Sequence, residues 1–540
     1  MTGPARIRPA PAALFLLLGL VLISTARSLG SGLAFDDVPI VAQNGQIHAL
    51  AAPWVYAQQS YWPPDNLGDA YRPWTIWWFA IQWALGGGAP WLFHLGNLAL
   101  TAALTTAVYL LGLELLPSVG ALAAAALFAV HPVHVEATGN VVGQGELWMT
   151  LFSVVAALAY VRARRNDSLD ARTRIGLGVL LVLAAASKEQ GFVLPGMLLL
   201  IEWLVRRTGD TVPRPRAVAT TFIVLAVVST GLLAARYAVL GDLGGGPPAA
   251  GLEGQGLLGR SSIMLPIVLD WARLLIWPAA LSAQYSPPAT GGTASLALAI
   301  MGVAGLAGFG MLAGWGNSRS RVIPFGIAWT ALALLPVSNV AFPTGVLLAE
   351  RTLLLPSVGI VLAAGAIFAH LGLETRLRRV AIGGLAVLIV LGAARSYSRQ
   401  AVWRDNPTLV AQTIIDQPGG YRGYFIFGRE LVRRGDPTRA AAMYRLAADR
   451  YAGDYRVFEE WGQILRTENR CGDAIPIFER GLRVYPDGTV IRSRLFECLL
   501  TIGRVDDAIT IAEAGIARGL PEFAKSVERA QRARTAPPNH

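Results

Sequence analysis

Up to about residue 395 the chain alternates long apolar runs with short polar, arginine-rich or aromatic-rich connections; beyond that it turns amphipathic and charge-rich. A run of about 20 apolar residues is what an α-helix needs to cross a bilayer, where every backbone N–H and C=O must find its partner inside the segment. Eleven such runs are placed at 12–30, 91–116, 118–136, 142–162, 174–188, 191–206, 217–236, 293–314, 322–339, 355–371 and 379–394. Residues 73–85 predict a helix lying flat at the interface. Residues 262–281, interrupted by Asp270 and Arg273, predict one that dips into the membrane or lies on it. The pattern therefore predicts an all-α protein: a polytopic helical membrane bundle, then a soluble helical tail.

The tail repeats itself. Residues 421–454 and 455–488 are two copies of one pattern, and a weaker copy occupies 489–522. The period of about 34 residues is that of the tetratricopeptide repeat. Gly428 and Gly462 take the small position where paired helices approach, Ala440, Ala474 and Ala508 the next small one, Tyr444 and Phe478 the space between helices, and Pro486 a repeat end. This divides the chain into a membrane domain, 1–398, and a repeat α-solenoid, 399–535, with 402–420 as a preceding cap. Stacked helix pairs present a concave face suited to an extended peptide or partner protein; bracing of the membrane domain is the alternative role.

Composition sharpens this. The chain is 54% hydrophobic and 15% charged, with mean hydropathy +0.47, where soluble domains carry about 25% charge. Its net charge of +11 would suit nucleic acid, but the arginines flank apolar runs, where they set topology. Arg6 and Arg8, the loops around Arg162–Arg174 and Arg206–Arg216, Arg319 with Arg321, and Arg376 with Arg378 and Arg379 all fall on one side under eleven crossings. The positive-inside rule makes that side cytoplasmic, with the first run a retained span rather than a cleaved signal peptide. The loops 31–90 and 237–292 and the repeats then lie outside, and the Arg/Ala-rich composition points to a bacterial inner membrane with these parts periplasmic. The many Trp and Tyr of 31–90 read mainly as an interfacial belt, and 241–260, rich in Gly and Pro, as a loop. Cys471 and Cys498 read as small core residues, or as one disulfide if their compartment oxidises.

Polar groups gather at the predicted outer ends. Asp36 and Asp37 follow the first span. Arg72 precedes the flat helix, and His94 and Asn97 enter the second span. His131, His134 and Glu136 leave the third, and Gln144 and Glu146 open the fourth. Lys188 and Glu189 lie between the fifth and sixth, and Asn339, Glu350 and Arg351 between the ninth and tenth. Lys188–Glu189 and Glu350–Arg351 read equally as local ion pairs. Ionisable groups converging at a membrane surface from distant parts of a chain mark a functional site. Arg and Lys suit a phosphate, and a carboxylate can take a proton from a hydroxyl. His131-x-x-His134 with Glu136 is also a ligand set for a divalent metal, although structural hydrogen bonding is the preferred reading and no metal is assigned.

The ordered set FDD, YRPW, FHLGN, HPVHVEA, GQGELW, KEQG and AERTLLLPSVG, followed by the repeats, resembles the transmembrane and tetratricopeptide-repeat O-mannosyltransferases, from about Phe35 to the last repeat. That resemblance implies a C-type glycosyltransferase fold, with its active site at the outer face and a polyprenyl-phosphate sugar as donor. It implies Asp36 as catalytic base, with Asp37 as second choice. Arg351, Lys188 and Arg72 would lie near the donor phosphate, supported by Glu350, Glu189, His131, His134, Glu136, Glu146, His94 and Asn97. Thr352-Leu353-Leu354-Leu355 stands where the family carries a tyrosine-containing stretch, so one donor contact is absent. The expected reaction moves mannose or another hexose, with inversion, to a protein hydroxyl or a glycan. A glycan-polymerising transferase, a flippase and a membrane scaffold working through its repeats are the rivals.

Overall fold

A computed structural model of the chain describes residues 9–63, 70–208, 214–243, 248–286, 296–317, 320–371 and 377–535. Arg6, Arg8, Arg319, Arg376 and part of the Gly/Pro-rich loop lie outside the described residues. Secondary structure among the described residues is helical throughout, and the chain divides into two compact units.

The first unit is the membrane bundle. Its helices are α1 (Pro11–Thr25), α2 (Pro73–Gly86), α3 (Pro90–Leu115), α4 (Ser118–Val130), α5 (Gln144–Arg165), α6 (Ala171–Ser187), α7 (Leu194–Thr208), α8 (Pro215–Leu240), α9 (Leu296–Asn317), α10 (Val322–Leu334), α11 (Leu354–Leu371) and α12 (Arg378–Gln400). Each of the eleven predicted spans is helical over most of its described residues. Among the described residues, six stretches are long and apolar enough to cross a membrane: Pro11–Gly30, Pro90–Leu115, Val141–Arg165, Pro215–Leu240, Glu350–Leu371 and Arg378–Trp403. A seventh combines Ser118–Val130 with Pro132–Gly139 through a 46° bend; His131, held extended by the proline after it, is the hinge. Helices α6, α7 and α10 are shorter, with 17, 15 and 13 residues. The loop segment 262–281 contains two short helices, Leu257–Met264 and Ile267–Ile276, rather than one.

Helices that begin at Val141 and Glu350 form the centre, each with 78% of its apolar window buried, whereas α8 and α12 have 17% and 11% and face outward. The central packing depends on small residues. A Cβ at Gly326 of α10 would strike the Gly359 backbone of α11, and one at Gly120 of α4 would strike Gly365 of α11. Without a hydrophobic force between helices in lipid, such close approaches supply the dispersion contacts that hold a bundle.

The aromatic segment 73–85, expected to lie flat at the interface, is helical, as α2, and its rings do more than an interfacial belt would. Tyr56, Tyr61, Ile76 and Phe79 are buried in a small core with Ile40, Val41 and Val142. Trp74 and Trp78 pack edge-on against Trp148 of α5, at 5.5 and 5.2 Å between ring centroids. Large rings bury enough area to fold a long loop into a substructure of its own.

The second unit takes in residues 410–535 with Ala249–Gly254 and residues 284–286 of the long loop. It consists of helix pairs α13 (Arg422–Arg433) and α14 (Pro437–Arg450), α15 (Tyr455–Thr467) and α16 (Cys471–Val484), α17 (Thr489–Thr501) and α18 (Val505–Ile516), followed by α19 (Ala524–Thr535). Tyr444 and Phe478 are fully buried, as are Ala440, Ala474 and Ala508, in one continuous core. Cys471 and Cys498 form a disulfide between α16 and α17, so they are cross-linked as well as buried.

Candidate active site

After α1 the chain runs through a short 3-10 turn, Ala26–Gly30, and reverses at Phe35, a non-glycine residue with φ of 56°. Such a conformation costs on the order of 1 kcal/mol and persists where surrounding contacts impose it. Here the Phe35 N–H donates to Asn406 Oδ1 at 2.6 Å, and the Asp37 N–H donates to the Ala34 carbonyl at 3.1 Å. The turn separates the acidic doublet. Asp37 points inward and is buried, while Asp36 stays partly exposed.

Asp37 Oδ1 accepts the Val142 N–H at 2.8 Å, and Oδ2 accepts the Val141 and Ala34 N–H groups at 3.2 and 3.3 Å. It therefore ties the doublet to the turn before α5. Burial pushes its carboxyl up to about 7, against the pull of these three backbone donors. His94 Nε2 lies 3.1 Å from the Gly32 carbonyl on the same loop. Asn97 Nδ2 donates to the Thr138 and Asn140 carbonyls, both at 2.9 Å, and Gln144 Nε2 donates to Phe93 O at 2.9 Å. These three hold the backbone that carries the site.

Glu146, on the first turn of α5, is the hub of the charges. Lys188, at the end of α6, forms an ion pair with its Oε1, and Arg351 Nε approaches the same oxygen at 3.3 Å. Arg351 also pairs with Glu136 through its guanidinium and donates its backbone N–H to Glu136 Oε2 at 2.9 Å. On the other flank Arg72 meets Glu189 Oε2 at 2.9 Å, and Arg236 of α8 meets Glu189 Oε1 at 3.3 Å. Burial would raise the Glu189 carboxyl, but the two guanidinium groups outweigh it and hold the group at about 2. The charge of Asp36 acts on Arg351 and on Tyr61, and that of Arg72 on Glu146, so Asp36, Arg351, Glu146 and Arg72 share one electrostatic neighbourhood.

The local ion pairs read from adjacency do not form: Lys188 and Glu189 part to Glu146 and Arg72, and Arg351 pairs with Glu136 and Glu146. Glu350 accepts the Ser282 N–H at 2.6 Å and secures the long loop instead. The two histidines are taken up by other partners. His131 Nε2 is 3.0 Å from Leu275 O, and its Nδ1 accepts the Val133 N–H at 3.3 Å; His134 Nε2 is 2.8 Å from Ser357 Oγ. With Glu136 given to Arg351, the metal-ligand alternative loses its third member, and among the described residues no group of three His, Cys, Asp or Glu is arranged to hold a metal.

Exposure ranks the cations. Arg351 and Arg72 keep 17% and 21% of their side-chain surface accessible, against 9% for Lys188 and 2% for Glu146. The two arginines are thus the more accessible cations, and Lys188 lies buried against Glu146. Sequence reasoning missed Arg236, although a lone arginine inside an apolar helix was a visible signal. It also missed Tyr61, whose ring lies 4.7 Å from the Arg72 guanidinium carbon.

No family model matches the chain. Human protein O-mannosyl-transferase TMTC3 is 24% identical over 499 residues, covering 85% of this chain and 53% of that protein. Drosophila melanogaster protein O-mannosyl-transferase Tmtc2 is 36% identical over 175 residues, 31% of this chain and 19% of that one. Among solved structures, the archaeal oligosaccharyltransferase AglB from Archaeoglobus fulgidus, in complex with an inhibitory peptide and a dolichol-phosphate, aligns with a TM-score of 0.42 at 15% identity, over 73% of this chain and 56% of that chain. The resemblance read from the ordered motifs is thus met by named O-mannosyl-transferases, and the chain spans about half the length of the human relative.

Proposed function

We propose that this multi-pass membrane protein is an inverting glycosyltransferase that moves mannose or a similar hexose from a polyprenyl-phosphate donor to a hydroxyl of a protein acceptor on the extracytoplasmic face. The observation that carries this reading is the pairing of Arg351 and Lys188 with Glu146 and of Arg72 with the adjacent Glu189, with the charge of the partly exposed Asp36 acting on Arg351. Similarity to protein O-mannosyl-transferases supports the sugar and the acceptor class.

Asp36 takes the proton of the acceptor hydroxyl as its oxygen attacks the anomeric carbon. The bond from that carbon to the phosphate oxygen breaks, its electrons leave with the lipid phosphate, and the configuration inverts. The leaving group passes from one negative charge to two, and Arg351 and Arg72, backed by Lys188, stabilise the added charge. No proton donor is needed, because the phosphate monoester is a competent leaving group. Asp37 sets the doublet's geometry through the turn before α5. The Cys471–Cys498 disulfide supports an oxidising, extracytoplasmic location for the repeats, where their concave face is suited to an acceptor or partner polypeptide.

The test uses the full chain in detergent, a synthetic polyprenyl-phosphate mannose and serine- or threonine-containing peptides. Asp36→Asn is expected to lower turnover by about 100- to 10,000-fold and to leave donor binding within a few-fold of the parent. Undiminished turnover would show that another group is the base. Transfer to glycan acceptors with none to peptides would favour the glycan-polymerising alternative.

A further inference from the structure

Tyr61 is 1% exposed, and its hydroxyl oxygen is buried without a hydrogen-bond partner among the described residues. Its backbone is fixed, since its N–H donates to the Ala70 carbonyl at 2.8 Å, and its ring is held between the apolar core around Ile40 and Phe79 and the guanidinium of Arg72. The charges that act on this hydroxyl are those of Arg72, Glu146, Asp36 and Asp37. Burial pushes the phenol upward, so it stays a neutral O–H able both to donate and to accept.

A buried hydroxyl left unmade is unfavourable, and each one in a native structure calls for an explanation, an absent ligand among them. Nothing in the fold requires the oxygen at this position, because phenylalanine would fill the same apolar core. The ring's contact with Arg72, the arginine proposed to meet the phosphate, puts this unpaired hydroxyl beside the proposed donor site, within reach of the charge of the proposed base, Asp36. In the proposed reaction the group that spans base and phosphate is the transferred sugar.

Resting on the proposed function, we infer that Tyr61 is a specificity-determining residue that hydrogen-bonds a hydroxyl of the donor's sugar. A site built to pair with a substrate hydroxyl discriminates against analogues that lack it, since the protein's own polar group is then left buried and unpaired.

The test is Tyr61→Phe in the full chain. It is expected to melt at or above the parent's temperature in detergent, because an unpaired buried hydroxyl is removed. Its affinity for polyprenyl-phosphate mannose is expected to fall about 10-fold or more, while its affinity for polyprenyl phosphate without sugar stays unchanged. Equal loss for both lipids would move the contact to the phosphate and overturn the inference, as would parental affinity for both. Monodeoxy-mannosyl donors on the unmodified protein give an independent arm. One of them should lose about 10-fold, and that penalty should vanish in Tyr61→Phe; no position showing a penalty also overturns the inference. If the unmodified protein binds neither lipid, the proposed function fails first, and the two failures are thus distinguishable.

Discussion

Lys188 and Glu189 are consecutive residues that serve different partners: Lys188 turns to Glu146, 42 residues away in the chain, and Glu189 turns to Arg72, 117 residues away. The break between α6 and the 3-10 turn Glu189–Val193 makes this divergence, with Lys188 itself in extended conformation at φ −160° and ψ 146°. A straight helix would have set the two side chains about 100° apart on one cylinder. The extended residue instead sends one to α5 and the other to the loop before α2. Two charge pairs drawn from distant parts of the chain are thereby linked through consecutive residues, and in the proposed reaction the donor phosphate approaches them at Arg351 and Arg72.

Removing the hub should be more damaging than removing the hub together with its nearest cation. Glu146→Gln leaves Lys188 buried without its carboxylate, and loss of one partner of a buried pair costs about 3–5 kcal/mol. Glu146→Gln with Lys188→Met removes the stranded charge and should recover most of that loss in thermal unfolding in detergent. Both variants should be impaired in transfer, because Arg351 loses a carboxylate that orients it. A double variant no more stable than the single one would show that the two residues are not energetically coupled.

Asp37 gives a prediction in pH. Its folded carboxyl sits at about 7 against a usual 3.8, so between these values the folded protein holds a proton that the unfolded chain has released. Stability from this group is therefore greatest below about pH 4 and is lost as pH rises through about 7. Asp37→Asn cannot titrate and presents an amide to at least one of the backbone donors that the carboxylate accepts. It should be less stable than the parent by about 1–3 kcal/mol at pH 5, and the gap should narrow by pH 8. Unfolding midpoints across that range check it, and a gap that widens with pH would show that the backbone donors, not burial, dominate.

The elements that were legible in the sequence are those whose signal is periodic or local. The apolar runs became helices, and Gly428 and Gly462, Tyr444 and Phe478 occupy the repeat positions their spacing assigned. Convergence of Arg351, Lys188 and Arg72 was legible only as shared sidedness, since no local pattern says that Arg351 reaches Glu136 and Glu146 while Glu350 turns to Ser282. The aromatic loop was misjudged in part because composition cannot distinguish a ring at a bilayer surface from one in a small core. Tyr56, Tyr61 and Trp74 carry the same letters either way, and only tertiary packing against Val142 and Trp148 separates the two. The disulfide was undecidable for the same reason: Cys471 and Cys498 approach only because α16 and α17 stack.

The repeat unit offers a prediction independent of the active site. A Cβ at Gly462 would strike the Phe478 ring, just as one at Gly428 would strike that of Tyr444. Gly462→Ala therefore overpacks the α15–α16 contact, at a cost of about 1–3 kcal/mol, even though alanine has the better helix propensity by about 1 kcal/mol. At an exposed helical site the same change would stabilise, so the sign of the effect reports packing directly. Trimming the ring should relieve the clash: Gly462→Ala with Phe478→Leu should lose less than the sum of the two single changes, because each single change disturbs the same contact. Urea unfolding of the full chain in detergent, followed by pulse proteolysis of the repeat unit, measures all three variants. Strict additivity would mean that the glycine and the ring are not the close pair this packing requires.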